Sequence, residues 1–269
     1  MIEIESKAQG AELTSIKVDE VEKLHDGKKD WNRHAPVLFP IVGQVKNGET
    51  IIEEKLYKMG QHGFARDMMF EKIGQHSYRL AYNEETLEKY PYKFELTISY
   101  NVQGNSVETN YQVKNVDNKN IYFGLGGHPA FVCDYSNAVI EFEKQEDNLE
   151  IFQLENGLVK DNQEEKEKFT DGNKIVLNEK SFDDDAIIMK GLQSNKITLK
   201  ENDKKVLTFD FTDFPILAIW SKKGANFLCI EPWFNTADTV SSTGKYTDKE
   251  GLICLEPGKT FEAKFKVEF

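Results

Sequence analysis

Histidine is scarce in this sequence, and two of its five histidines stand among glycines. His62 lies in GQHGFARD, and His128 lies in GLGGHPAF. Glycines beside a histidine allow the backbone to approach a ligand closely and leave the imidazole unobstructed. Histidine is also the side chain best suited to exchange protons near neutral pH. We therefore interpret His128 and His62 as functional, whereas for the other histidines we favour local hydrogen bonds in turns.

A glutamate in the segment LCIEPWFNTAD is a second candidate for proton transfer. Glu231 follows the apolar run 227–230, so we expect it at the end of a buried strand. A carboxylate in that position is unfavourable unless it has a partner or a chemical task. Trp233 follows two residues later, and Trp220 lies in the preceding predicted strand; aromatic faces commonly line ligand pockets and stack on sugar rings. A salt-bridged strand end and core packing are the alternative interpretations.

Other chemistries receive less support from the residue pattern. The sequence has no GxGxxG, P-loop, HExxH or GxSxG motif. A nucleophile pair of Cys133 and His128 stays open, although nothing marks the thiol as activated and packing is the favoured interpretation. A metal site built from His62, His128 and Glu231 ranks below proton transfer, because no tight ligand spacing supports it. We therefore predict no metal ion.

The composition excludes several classes of partner. The 269 residues carry a net charge of −12, and an acidic surface repels both phosphate backbones and anionic lipids. We expect neither nucleic-acid nor membrane partners. The N-terminus lacks the basic and apolar regions of a signal peptide, which predicts a cytoplasmic protein. The three cysteines are odd in number and fit no metal motif, so we expect reduced, buried thiols.

Strand patterns dominate the rest of the chain. Apolar residues alternate with polar ones over 94–102 and again over 107–113, with Gly104-Asn105 between them, which predicts a hairpin. A second hairpin is predicted around Asn202-Asp203, and residues 261–269 alternate as a final strand. Helical periodicity is limited to short turns at 83–89 and 163–169. The sequence therefore predicts one all-β domain over residues 1–269, built from packed antiparallel sheets.

Six segments together resemble the aldose 1-epimerase (galactose mutarotase) family, and more closely its bacterial LacX-type branch. They appear in the family's order and span nearly the whole chain, so the set is specific for the family and much less specific for the sugar. The segments are GAEL (10–13), APVLFPIVG (35–43), MGQHGFARD (59–67), GLGGHPAF (124–131), FDDDAII (182–188) and FLCIEPWFNTAD (227–238).

The resemblance implies a large antiparallel β-sandwich with its site in a groove on one sheet. It implies that His128 is the general acid, that Glu231 is the general base and that His62 supports the developing charge. Asp185 matches an aspartate that holds sugar hydroxyls, with Asp184 left open. The reaction is the interconversion of the α and β anomers of a free hexose such as galactose or glucose, and it requires no cofactor.

We further expect substrate contacts from Arg66, Gln44, Trp233 and Phe64. Gln44 departs from the family pattern, because many relatives carry a sugar-binding arginine at this position; glutamine still donates hydrogen bonds but brings no charge. One alternative function is a hexose-6-phosphate mutarotase that uses Arg66 to hold the phosphate. Another is a β-sandwich that binds carbohydrate without catalysis. The sequence leaves monomer and homodimer open.

Overall fold

The computed structural model describes residues 1–146, 150–161 and 172–269, and antiparallel strands dominate them. In chain order the strands are β1 (Ile2–Ser6), β2 (Leu13–Val18), β3 (Val21–Glu22), β4 (Val37–Leu38), β5 (Glu49–Ile52), β6 (Lys55–Lys58), β7 (Glu71–Gly74), β8 (Ser77–Ala81), β9 (Phe94–Gln103), β10 (Ser106–Asn115), β11 (Ile121–Phe123), β12 (Gly126–Gly127), β13 (Ala130–Val132), β14 (Ala138–Phe142), β15 (Glu150–Phe152), β16 (Leu154–Glu155), β17 (Leu158–Val159), β18 (Lys174–Val176), β19 (Ile187–Lys190), β20 (Lys196–Glu201), β21 (Lys204–Asp210), β22 (Ile216–Trp220), β23 (Phe227–Trp233), β24 (Ile253–Leu255) and β25 (Thr260–Glu268).

Helical structure is confined to short pieces in the described part of the chain. The helix α1 (Glu84–Lys89) confirms the turn predicted at 83–89, and Asn83 caps it through reciprocal hydrogen bonds with Thr86. The 3₁₀ turns are Lys46–Gly48, Ala65–Asp67, Tyr135–Asn137 and Tyr246–Asp248. The turn predicted at 163–169 lies outside the described residues. Within the described ranges, no helix has the length and apolar character that crossing a bilayer requires.

Both predicted hairpins are confirmed. In the first, Gln103 on β9 pairs with Ser106 on β10, which leaves Gly104-Asn105 as a two-residue turn. In the second, β20 and β21 join at Asn202-Asp203, and both turn residues have positive φ, as a type I′ turn requires. The last predicted strand is β25, which pairs with β10 along its whole length.

Two large sheets form the body of the sandwich. One has nine strands in the order β18-β14-β20-β21-β25-β10-β9-β8-β7. The other has the order β15-β19-β22-β23-β12-β4, and β13 also pairs with β23. One cluster of buried apolar residues takes side chains from both sheets, which include Leu96 and Phe265 from the first and Leu217 and Leu228 from the second. The prediction of packed antiparallel sheets is therefore confirmed.

Strand β23 shows how the fold presents chemistry on one face. Its even-numbered residues Leu228 and Ile230 belong to the main apolar cluster. Its odd-numbered residues point the other way, because side chains alternate along a strand. Glu231 was predicted at the end of the strand, but β23 continues to Trp233. The carboxylate is therefore held by strand pairing on both sides of its own position.

The cysteine prediction is correct in part. Cys133, Cys229 and Cys254 are all free thiols, and the first two are buried. Cys254 is exposed, so the expectation that it is buried was wrong. It lies in the middle of β24, opposite Tyr122 on β11, whereas its neighbour Leu255 faces the core. The alternation of a strand that is only three residues long was not visible in the sequence.

Candidate active site

A cleft of about 200 Å³ opens on the face of the second sheet that carries the odd-numbered residues of β23. Its walls include side chains from loops far apart in the sequence as well as from the strands themselves. We define the cleft by Trp31, His62, His128, Asp185, Glu231 and Trp233. The structure thus brings both candidate histidines and the candidate glutamate to one place, and it does so through non-local strand pairing.

His128 and Glu231 face each other at the floor of the cleft. His128 follows β12, and Glu231 is central in β23; the pairing of these strands sets their separation. His128 Nε2 lies 3.1 Å from Glu231 Oε2, and both residues are more than nine-tenths buried. The two atoms are close enough for a proton to pass between them, but they are not aligned as a hydrogen bond. This leaves the carboxylate oxygen available to another partner.

Burial pushes both members of this pair towards their neutral forms. Burial, followed by the charge of Arg66, lowers the pKa of His128 to about 3. Burial, followed by the charge of Asp185, raises the pKa of Glu231 well above its ordinary value. The free pair therefore favours a protonated carboxyl group beside a neutral imidazole. Such opposed shifts in a cleft are typical of acid–base catalysts.

His62 is held as a fixed hydrogen-bond donor. The Gly43 N–H donates to His62 Nδ1 at 3.1 Å, and the His62 backbone N–H donates to the Gly43 carbonyl at 2.8 Å. Burial, followed by the charge of His128, lowers the pKa of His62 well below its ordinary value. A neutral imidazole that accepts at Nδ1 must carry its proton on Nε2. His62 therefore presents one N–H to its surroundings.

Glycine is required at position 43 for this contact. Gly43 has a φ of +71°, and a Cβ atom there would lie 2.6 Å from the backbone nitrogen of Ala237. Any side chain would push apart the two loops that meet at the cleft wall. His62 itself has a φ of +63°, which is unfavourable for a residue with a side chain. Its reciprocal hydrogen bonds with Gly43 compensate for that backbone conformation.

Three tryptophans line the cleft, and the sequence interpretation missed one of them. Trp31 stacks on His128 with ring centroids 4.8 Å apart and planes inclined by 29°. Trp220 meets His128 edge-on at 6.1 Å, and Trp233 lies 6.2 Å from the His62 ring. Trp31 belongs to a loop without apolar periodicity. Two features of the sequence could have identified it as a candidate. The chain has only three tryptophans, and this one stands between charged and polar residues.

Several buried polar atoms in the cleft have no hydrogen-bond partner among the described residues. They are Arg66 Nε, His128 Nδ1, Glu231 Oε2 and Trp233 Nε1. Buried polar groups are normally paired, so a cluster of unpaired ones in one cleft indicates that a polar ligand completes them. The donors and acceptors are mixed, as hydroxyl groups require.

Of the remaining predicted contacts, Asp185 and Arg66 line the cleft and Gln44 does not. Asp185 lines the cleft just before β19, whereas its neighbour Asp184 does not. The side chain of Gln44 lies beneath the turn at Gly157, where a Cβ atom would be 2.5 Å from the amide nitrogen. Arg66 lines the cleft and donates to the Gln61 carbonyl at 2.7 Å.

The structure does not bring Phe64 to the cleft. Its ring packs in the main apolar cluster, with centroids 6.4 Å from Phe39 and 6.3 Å from Tyr90. The left-handed backbone at His62 and Gly63 turns the following side chain inward. Phe64 therefore anchors the loop that carries His62 and Arg66, and substrate contact is not the role that its position supports.

One group of side chains in the described chain has the chemistry of a metal site. The ligand atoms of His128, Cys229 and Glu231 all lie within 4.8 Å of one another. Cys229 takes the place that the sequence hypothesis gave to His62. Burial, followed by the charge of Glu231, raises the pKa of the Cys229 thiol. The thiol is therefore protonated in the free protein at neutral pH.

Comparison with known proteins places this chain in a family. The family model described as aldose 1-epimerase matches residues 2–268. The LacX protein (plasmid form) of Lactococcus lactis subsp. lactis is 31% identical over 290 residues, which cover 98% of this chain and 95% of LacX.

Solved structures agree with the sequence comparisons. A galactose mutarotase related enzyme from Lactobacillus acidophilus superposes with a TM-score of 0.91 at 34% identity, covering 100% of this chain and 94% of that chain. A galactose mutarotase-like protein from Lactobacillus casei gives 0.88 at 30% identity, covering 99% and 96%. A family match over almost the whole chain, with relatives above 30% identity, leaves one assignment: the chain belongs to the aldose 1-epimerase family.

Proposed function

We propose that the protein is a mutarotase that interconverts the α and β anomers of a free hexose, with galactose and glucose as the first candidates. The observation that carries this proposal is the buried His128–Glu231 contact, with its unpaired carboxylate oxygen in a cleft walled by tryptophans. Membership of the aldose 1-epimerase family supports the reaction class. The residue roles rest on geometry and charge.

Mutarotation needs one base and one acid on either side of the C1–O5 bond. Glu231 as carboxylate takes the proton of the anomeric hydroxyl, and protonated His128 gives its proton to the ring oxygen. The C1–O5 bond breaks, and the free aldehyde forms. Rotation about C1–C2 exposes the other face of the carbonyl, and the same two transfers run in reverse to close the ring. No proton is gained or lost, and no cofactor enters.

The protonation state of the pair without ligand is the one that the reaction reaches after the ring has opened. Ring opening leaves Glu231 protonated and His128 neutral, which is the arrangement that burial favours without ligand. A cyclic sugar that enters the free site requires the opposite arrangement, so on binding the proton must first pass from Glu231 to His128. Their 3.1 Å separation provides the route. Arg66 favours this step because its charge stabilises the carboxylate.

His62 supplies a neutral donor to the same reaction. Its Nε2–H is fixed by the hydrogen bond from Gly43 and cannot be lost near neutral pH. We assign it to a sugar oxygen that gains negative character as the ring opens. Asp185, which lines the cleft, would bind the hydroxyls further from C1. A positioned proton transfer contributes about 10²- to 10⁴-fold in rate, so each of the two transferring residues should be essential.

Charge favours a neutral sugar over a phosphorylated one. Among the described residues that line the cleft, Arg66 is the one cation, and Asp185 and Glu231 are acidic. A phosphate site usually combines several donors or cations. The arginine is also engaged by the Gln61 carbonyl. The hexose-6-phosphate reaction is therefore the second candidate.

Polarimetry of freshly dissolved α-galactose and α-glucose at neutral pH tests the proposal. We expect the protein to accelerate the approach to anomeric equilibrium, and we expect Glu231→Gln and His128→Asn to lose about 10²-fold or more while remaining folded. Glu5→Gln, on the exposed face of β1 and outside the cleft, is the carboxylate control. Acceleration only with 6-phosphorylated hexoses would favour the second candidate. Saturable sugar binding without anomer exchange would make the protein a carbohydrate-binding β-sandwich.

We also propose that residues 1–269 form one domain. The main apolar cluster takes members from Ala11 to Val267, and its contacts cross both large sheets. Limited proteolysis should then give no stable half-length fragment.

A further inference from the structure

The cleft face of β23 carries a thiol beside the proton-transfer pair. Cys229 and Glu231 point the same way because they are two residues apart on one strand. Cys229 packs with Phe227 beneath Trp31 and Trp220, and its side chain is fully buried. Its sulfur lies within 4.8 Å of the ligand atoms of both His128 and Glu231. The proposed reaction makes no use of this thiol.

The three side chains form a ligand set for a thiophilic divalent cation. Thiolate, imidazole and carboxylate are the ligand types that Zn²⁺ takes, at about 2.0 to 2.3 Å, so tetrahedral ligand atoms lie roughly 3.3 to 3.7 Å apart. His128 Nε2 and Glu231 Oε2 are already 3.1 Å apart. No two ligand atoms in the group are more than 4.8 Å apart, so binding requires them to close by at most about 1 Å.

A second observation points to a ligand at this position. Glu231 is 1% exposed, and its Oε2 has no hydrogen-bond partner among the described residues. This is the same oxygen that faces His128 Nε2. A cation between them would satisfy the oxygen and would keep the fourth coordination position open towards the cleft. Three protein ligands with one open position are the arrangement of reactive zinc sites.

We propose that His128, Cys229 and Glu231 form an inhibitory site for a thiophilic divalent cation of the Zn²⁺ class. The cation occupies the two groups that transfer protons, so it excludes catalysis; this consequence rests on the proposed function, whereas the binding itself does not. Binding displaces the protons of the thiol and the carboxyl group to solvent. Mg²⁺ and Ca²⁺ prefer all-oxygen sites and should not bind here.

Cobalt absorption tests the binding without any activity assay. Co²⁺ substitutes for Zn²⁺, and a Co²⁺–thiolate bond gives a charge-transfer band in the near ultraviolet. We expect one equivalent of Co²⁺ to produce this band with the whole protein and one equivalent of Zn²⁺ to remove it. Cys229→Ala should abolish the band, and Cys254→Ser, which changes the exposed thiol, should leave it unchanged. A band that survives Cys229→Ala, or no band in the unaltered protein, overturns the proposal.

Measurement of the Zn²⁺ affinity makes the test of the metal site quantitative. Loss of even an outer-sphere partner costs metal sites about 10- to 100-fold in affinity, so Cys229→Ala should weaken Zn²⁺ binding by at least about tenfold in a chelator competition. Cys229→Ser guards against misfolding, because it keeps the volume and replaces the soft ligand; circular dichroism of both variants checks the fold. Equal Zn²⁺ affinity in a folded Cys229→Ala protein contradicts the site.

The inhibition arm separates this inference from the proposed function. In polarimetry, Zn²⁺ should slow mutarotation by the unaltered protein, an excess of chelator should restore it, and Cys229→Ala should be at least about tenfold less sensitive. Mg²⁺ is the control cation. A cobalt band in a protein without mutarotase activity would support the metal site and reject the function. Inhibition of equal strength in Cys229→Ala would reject the metal site and leave the function standing.

Discussion

Two pairs of ionisable side chains are buried at the cleft and beside it, and they differ in how completely they are satisfied. Lys249 Nζ donates to Asp238 Oδ1 at 2.8 Å, and the other carboxylate oxygen accepts from the Lys46 backbone N–H at 2.9 Å. His128 and Glu231 approach to 3.1 Å without an aligned hydrogen bond, and each keeps an unpaired atom.

This difference in hydrogen bonding indicates that Lys249–Asp238 stabilises the fold, whereas His128–Glu231 is suited to chemistry. Asp238 follows the cleft residue Ala237, and its backbone N–H donates to the Gln44 carbonyl, so the satisfied pair fixes two loops at the cleft wall. The unsatisfied pair joins no such loops, and it is the pair to which we assign proton transfer. A buried group with full hydrogen bonding is costly to remove, whereas one without it destabilises the fold that contains it. Mutations should therefore have opposite effects on stability in the two places.

The largest effect is expected at the satisfied pair. Lys249→Met leaves the Asp238 carboxylate buried without its cation, and breaking such a pair typically costs about 3–5 kcal/mol. Urea unfolding would measure the loss. The double variant Lys249→Met/Asp238→Asn should recover part of it, because no uncompensated charge remains. A loss below about 1 kcal/mol in the single variant would remove the distinction between the two pairs.

A third buried carboxylate extends the comparison to the loop that carries Trp31. Glu12 accepts hydrogen bonds from the backbone N–H groups of His34 and Ala35 and pairs with Lys7 at 2.5 Å. Burial alone would raise the pKa of Glu12, but the hydrogen bonds from His34 and Lys7 outweigh it and lower the pKa to about 2.

Glu12→Gln should cost about 1.5–3 kcal/mol at neutral pH, the range for hydrogen bonds to charged groups. Because the folded pKa lies below the unfolded value near 4.5, this stability is complete above pH 4.5 and is lost as the pH falls towards 2. Thermal unfolding at pH 7, 5, 4 and 3 would follow the gap between the two proteins. A gap that stays constant over this range would show that the carboxylate charge is not its source.

Glu231→Gln is expected to change stability in the opposite direction. The folded protein keeps a proton on Glu231 above pH 4.5, where the unfolded chain has lost it, so stability falls as the pH rises. Glutamine removes this dependence. The variant should melt at a higher temperature than the unaltered protein, and the two are compared between pH 6.5 and 8.5.

The pH window isolates the glutamate from its neighbours. His128 has the opposite slope, but that slope ends near the unfolded pKa of 6.5. The Cys229 thiol contributes only above its ordinary pKa of 9. For a chain of this size, about 2–4 °C corresponds to 1 kcal/mol. A Glu231→Gln protein that melts lower than the unaltered protein at pH 8 would mean that the carboxylate is satisfied after all.

The smallest effect is expected from Trp31, which stacks on His128 and also packs against Phe227 and Trp220. Its ring packs on His128, and an aromatic contact of this kind is worth about 0.5–1.5 kcal/mol beyond the area that it buries. Trp31→Ala should lower kcat/KM by about two- to tenfold, and Trp31→Phe should recover most of it. Stopped-flow polarimetry would measure both. Unchanged kinetics would limit Trp31 to packing of the loop.

The fold and the main site residues could be predicted because their signals are local. Alternation and turn residues identify the hairpin β9–β10, and glycines mark the histidine segments, so both the sheets and His62, His128 and Glu231 were found in the sequence. These patterns depend on residues close together in the chain. The resemblance to the aldose 1-epimerase family strengthens them, because the six segments occur in the same order as in that family.

The remaining features depend on contacts between distant segments. Trp31 stacks on His128 from a loop whose residues 34 and 35 donate hydrogen bonds to Glu12, and no pattern near Trp31 records these contacts. The hydrogen bond from Gly43 to His62 and the approach of Cys229 to the proton-transfer pair are likewise tertiary. Phe64 was expected to contact substrate because it follows His62 in the sequence, yet the left-handed turn sends its side chain into the core.

The cleft is assembled from residues as far apart as Trp31 and Ala237, and this has a consequence for the order of folding. A chain still being synthesised has no complete cleft until strand β23 and the loop after it have been added. Contacts between such distant residues form late, because the chain must first be ordered between them. A ligand therefore has nothing to bind in an early intermediate. Its presence should slow the unfolding of the finished protein and leave the rate of folding unchanged.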